Sequence, residues 1–144
     1  MYRRLLYFQT IIFIFSMWSC AKQITESADT IFPGDGSTKQ INARFSSIQD
    51  SVFSPQCAIS GCHDGSIKPQ LSAGFAYSQI VNIPNGENRG ADRIEPGNPE
   101  KSYLYLKLIG KNITGSRMPL GAPPLSQSVI DSIQAWIENG AFQN

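Results

Sequence analysis

Two cysteines and a histidine fall within one short run, Cys57-Ala58-Ile59-Ser60-Gly61-Cys62-His63. A pair of thiols followed at once by an imidazole suits covalent haem attachment. The sulfurs add to the haem vinyl groups as thioethers, and the adjacent imidazole is then placed to ligate iron. The common spacing has two residues between the cysteines; here there are four, still a loop short enough to reach both vinyl groups of one porphyrin. The same residues also suit a disulfide in an exported chain. They could supply three of the four ligands of a structural zinc. A nucleophilic Cys–His pair fits worse, because adjacent side chains diverge and only Asp64 stands near to orient the imidazole.

The rest of the soft-ligand inventory narrows these options. The chain has three cysteines, three methionines and one histidine. Met1 and Met17 lie in an N-terminal segment that has the marks of an export signal. Arg3 and Arg4 form its positive end, and an apolar run from Leu5 to Trp18 follows, interrupted by Gln9, Thr10 and Ser16. That run is shorter than the roughly 20 residues a membrane-spanning helix needs. It ends in Met17-Trp18-Ser19-Cys20, which resembles a bacterial lipobox, with cleavage before Cys20 and a lipid on its sulfur. An ordinary cleaved signal and an uncleaved anchor are the alternatives. If Cys20 is lipidated, Ala21 occupies the next position. It lacks the Asp that the sorting rule of enteric bacteria uses for inner-membrane retention, so the expected location is a periplasm- or surface-facing lipoprotein of the outer membrane. After removal of residues 1–19, the cysteines not carrying lipid are Cys57 and Cys62, the histidine is His63 and the methionine is Met118. That set matches one c-type haem with His/Met ligation.

Charge and composition exclude other classes. The 12 basic residues less Arg3 and Arg4 leave 10 against 11 acids, a formal charge of −1. No basic stripe remains, so nucleic acid is not an expected partner. Residues 20–41 are rich in Ser, Thr, Gly and Pro and are expected to be a flexible tether. Residues 42–144 then form one small domain.

Helices must position the motif. Phe45, Ile48 and Val52 recur at helical spacing, predicting a helix over residues 43–53 with Asn42 as its N-cap and Pro55 as its end. It delivers the chain directly into Cys57. Residues 72–81 hold a short helix candidate with Phe75, Tyr77, Ile80 and Val81. Residues 82–99, dense in Pro, Gly and Asn, read as a long loop. A second helix is predicted over residues 99–109, capped by Asn98, with Pro99 at its first position, Lys107 and Lys111 near its C-terminal end and Gly110 as its stop. Met118 lies on an irregular segment that Pro119 keeps from being helical. The clearest helix is the last: Ser126 is the expected cap, Val129, Ile130, Ile133, Trp136 and Ile137 form one face, and Gly140 ends it.

Helix, Cys/Cys/His, loops, methionine on an irregular segment, amphipathic C-terminal helix: this order resembles a class I c-type cytochrome. It is most similar to the small bacterial cytochrome c-like domains often labelled planctomycete-type. The likeness runs through Ile48-Gln49, Val52-Phe53, Cys57, Gly61-Cys62-His63 and Glu95-Pro96-Gly97-Asn98-Pro99. It continues through Ser102-Tyr103-Leu104, Arg117-Met118-Pro119-Leu120-Gly121, Ile133-Gln134-Ala135-Trp136-Ile137 and Gly140-Ala141. Several members widen the gap between the cysteines. The resemblance implies an all-α, class I cytochrome c-like fold, with N- and C-terminal helices packed around a haem pocket and long loops. It further implies one covalent haem c on Cys57 and Cys62, with His63 and Met118 as axial iron ligands. With both axial positions filled by protein, the implied activity is one-electron transfer between redox partner proteins, not catalysis. Trp136 and Tyr103 are expected near the ring or its propionates, and Arg93 and Arg117 near the propionate charge. The competing expectation is a haem-free, disulfide-stapled lipoprotein of the same fold that serves as a structural or interaction module.

Overall fold

The first apolar stripe forms a helix, as its spacing predicts, but its two ends differ from expectation. In the computed structural model, which describes residues 41–87 and 90–144, α1 (Phe45–Ile48) runs without a break into a π-helical segment (Gln49–Cys57). Phe45, Ile48, Val52 and Phe53 are buried along it. Asn42 does not cap α1; its main-chain N–H donates to Ser47 Oγ at 3.1 Å. The cap is supplied by Asn144. Its side-chain oxygen accepts the Phe45 N–H at 2.9 Å, and its main-chain oxygen accepts the Ser46 N–H at 2.9 Å. Two of the orphan donors of the first turn are thus satisfied from a residue 99 positions away.

Nor does Pro55 end the helix. In an α-helix a proline ring clashes with the carbonyl four residues back and lacks the N–H that would bond it. π winding moves the partner to five residues back and widens the turn. Ala58 N–H donates to Phe53 O in this register, at 2.7 Å. The ring is tolerated, and the helical path continues to Cys57.

The expected short helix is smaller than its apolar pattern, with α2 covering Ala76–Ile80. Ala76 and Ile80 are buried, whereas Phe75 faces solvent. The long loop folds back on itself. Isolated bridges join Val81 to Ile94, Pro84 to Asp92 and Asp92 to Ser102, and the fully buried Ile94 anchors the return. The predicted second helix divides into a 3-10 turn (Pro99–Lys101) and α3 (Tyr103–Ile109). Asn98 caps the turn through its side-chain oxygen, which accepts the Lys101 N–H at 3.2 Å. The break falls at Ser102, whose extended backbone is held by its own side chain. Its hydroxyl donates to Asn98 O at 2.8 Å and accepts the Glu95 N–H at 2.9 Å. Gly110, at φ 71, supplies the left-handed residue that closes α3.

α4 (Gln127–Glu138) is the longest α-helix described. Ser126 occupies the N-cap position, but its hydroxyl pairs with that of Ser128 at 3.1 Å. The C-terminus is a Schellman motif: Gly140 N–H donates to Ile137 O at 2.9 Å and Ala141 N–H to Trp136 O at 2.9 Å. Gly140, at φ 96, adopts the conformation that this motif demands. Ile130, Ile133, Trp136 and Ile137 are buried, each contributing on the order of 1.5–3 kcal/mol.

α1 and α3 both pack on α4, and the Phe45 and Trp136 rings lie 5.7 Å apart. The described chain is therefore mainly helical, with its N- and C-terminal helices in contact and no strand among the described residues. No helix among them is long and apolar enough to cross a membrane. The expected signal segment, Cys20 and the tether as far as residue 40 lie outside the described residues. Ile41, the last residue assigned to the tether, packs against the core.

Candidate functional site

The π-helical segment ends on Cys57, and the chain then turns tightly through Cys62 and His63. Cys62 N–H donates to Ile59 O at 2.9 Å, and His63 N–H returns to Cys57 O at 3.1 Å. The motif is thereby closed into one loop by its own backbone. Both cysteines are free thiols and partly buried. Burial, then the neighbouring charge of Cys62, pushes the Cys57 thiol up to about 11. The two sulfurs thus sense each other, and Cys57 stays protonated at neutral pH.

His63 is oriented from the loop that follows. Its Nδ1 lies 2.9 Å from Pro69 O. A carbonyl can only accept, so Nδ1 carries the proton, and in the neutral ring Nε2 is left with a free lone pair. A hydrogen bond of this kind at the second ring nitrogen is the usual way a protein presents imidazole to a metal. The loop is itself pinned. Leu71 N–H donates to His63 O at 2.7 Å, and the buried Gln49 side chain donates to Leu71 O at 2.9 Å. Asp64 is held below the usual carboxylate range, mainly by the Ser66 main-chain N–H, and so remains an anion that shapes the turn.

Met118 sits on the irregular segment, as expected, and packs partly buried against the core. Its N–H donates to the main-chain oxygen of Lys107 in α3 at 2.9 Å. A groove of about 500 Å³ is walled by Gln56, Pro119, Leu125 and Val129, among others. It therefore lies between the immediate neighbour of Cys57 and the immediate neighbour of Met118. Large apolar side chains are exposed at the same chain positions. Ile59, between the cysteines, is 48% exposed, Ile67 55% and Leu120, two residues after Met118, 69%.

The residues expected around the porphyrin have other engagements. Trp136 is in the core, with its indole N–H donated to Phe142 O at 2.9 Å. The Tyr103 hydroxyl donates to Glu87 Oε2 at 2.8 Å and accepts the Thr114 N–H at 3.0 Å. Arg93 donates to Gln79 O at 2.7 Å. The Arg117 stem packs over Gly110, so closely that a Cβ there would meet its Cδ at 2.8 Å.

Gln49, Pro69 and Lys107 are the site's unforeseen supports. Only the glutamine carried a sequence signal, a polar residue on the apolar stripe of the first helix. Among the described residues, no three His, Cys, Asp or Glu side chains are grouped to hold a metal ion. No known protein family, curated protein or solved structure matches the chain.

Proposed function

We propose that this protein is an exported, membrane-tethered c-type cytochrome of class I form that carries one electron at a time between redox partner proteins. The observation that carries this reading is the Nδ1–H of His63 donated to Pro69 O, which leaves Nε2 as the lone-pair nitrogen an axial ligand needs. The donor set fits haem: two free thiols and one oriented imidazole on a single loop, beside a groove bordered by Pro119.

Cys57 and Cys62 would hold the porphyrin as thioethers, and His63 and Met118 would supply the iron's protein ligands. Haem bound there supplies a one-electron ferric/ferrous couple. The protein's own part is to orient and to exclude. The Pro69 carbonyl fixes the imidazole tautomer and raises its basicity. The Met118 thioether would favour the reduced ion and lift the potential above that of a bis-histidine site. With His63 and Met118 both committed to the iron, the bound group would serve as an electron carrier. The membrane tether rests on Cys20 and the segment before it.

The test is a haem stain on a denaturing gel with a pyridine haemochrome spectrum, on protein made in a host that ligates haem in its periplasm. Colour that survives denaturation is the expected result, and Met118→Ala should keep that colour while lowering the potential. A colourless chain whose mass is two hydrogens short, in the native host as well, would instead establish the disulfide-stapled module.

A further inference from the structure

We propose that Lys107 is the positioning residue of the methionine segment, its ammonium clasping residues 114–118 in place before any iron is bound. The consequence for the iron rests on Met118 being an axial ligand; the clasp itself does not. An ammonium has three donors and no acceptor, and at Lys107 all three are taken. They reach Thr114 O at 2.7 Å, Ser116 O at 3.4 Å and Glu87 Oε2 at 3.2 Å. The main-chain oxygen of the same residue accepts the Met118 N–H at 2.9 Å. One residue therefore grips the segment at three successive even positions, 114, 116 and 118.

The surroundings hold the lysine as firmly as it holds the loop. Its side chain is only 15% exposed, against 55% for Glu87. The ammonium sits 5.5 Å from the centre of the Tyr103 ring, which favours a cation. Tyr103, one helical turn earlier, adds the second hold. Its hydroxyl accepts the Thr114 N–H at 3.0 Å and donates to the same Glu87 oxygen at 2.8 Å. Irregular backbone without such anchors opens readily. Here it is tied to α3, which is packed on α4. A methionine presented on a fixed segment loses little freedom when it meets a metal, and that preorganisation is what a stable thioether bond requires.

The test pairs two readouts on Lys107→Met, with Tyr103→Phe as the second variant. In the haem-free full chain, amide exchange at Thr114 and Met118 should quicken by about tenfold or more, the scale of one lost charge-assisted bond, while Ala141 is unaffected. In the haem-loaded protein, the charge-transfer band of methionine-ligated ferric haem should fade and the potential fall, with the covalent haem retained. Unchanged exchange in both variants, or faster exchange with band and potential intact, would overturn the proposal. A wild-type chain that takes up no haem would sink the cytochrome reading instead, and the exchange rates alone would then decide the clasp. If Lys107→Met does not fold, Tyr103→Phe decides the question through Thr114 by the same two readouts.

Discussion

Gln49 offers the most exacting test of how the motif is supported. It is 6% exposed, and its amide nitrogen donates to Leu71 O at 2.9 Å and to Ser54 Oγ at 3.0 Å. Its amide oxygen is buried without a partner. Gln49→Ala orphans the Leu71 carbonyl, at about 1–3 kcal/mol, whereas exposed Ser54 can turn to water at little cost. Truncation also opens a cavity, worth about 2–5 kcal/mol for a side chain of this size. Removing the orphan oxygen returns about 1–3 kcal/mol. The net expectation for Gln49→Ala is a loss of about 2–4 kcal/mol. Gln49→Met keeps the volume, so its gains and losses nearly cancel, to within about 1 kcal/mol. Urea unfolding measures both. For a slope of about 2 kcal/mol/M, Gln49→Ala lowers the midpoint by about 1–2 M and Gln49→Met by less than about 0.5 M. A cost below about 0.5 kcal/mol for Gln49→Ala would refute the burial account altogether. Equal costs for the two variants would mean that truncation opens no cavity and that the hydrogen-bonding groups alone set the cost.

Further outcomes follow from the same structure. With haem absent and thiols reduced, folded Cys57 should alkylate about a hundredfold more slowly at pH 8 than in the unfolded chain. Its thiol is raised from 9.0 to about 11 by burial and by Cys62, and reactivity follows the thiolate fraction; equal rates would contradict the burial. The raised value also means that the folded state loses stability as pH climbs above 9.0. Glu87 shifts the other way: the Tyr103 hydroxyl first, then Lys107, holds its carboxyl below its ordinary 4.5. Its stabilising contribution is complete above that value and is lost as pH falls through the lowered one, so Glu87→Gln should flatten the acid limb of stability measured by urea midpoints at successive pH values. Asn144→Ala removes the side-chain acceptor for Phe45 N–H and should cost about 1 kcal/mol, with faster amide exchange at Phe45 as the local signature.

What could be read in the sequence was chemistry that is scarce and pattern that is local. Cys57, Cys62, His63 and Met118 stand out because a thiol, an imidazole or a thioether has few other uses in a chain with so few of them. The buried faces of α1 and α4, the Asn98 cap and the Gly110 and Gly140 stops were legible for a related reason. Each depends on residues within a turn or two, where spacing alone sets who meets whom. Tertiary structure decided the rest. Asn144 caps α1 across 99 positions, and Gln49 reaches Leu71 across 22. Lys107 is spent on three oxygens of a later segment, although its place near the end of α3 predicted only a favourable charge. π winding carries the helix past Pro55 to the first cysteine, against the local rule for proline. No periodicity encodes such contacts, because they exist only once distant segments have been packed together. The candidate site residues are therefore written in the sequence, and the residues that position them are written in the packing.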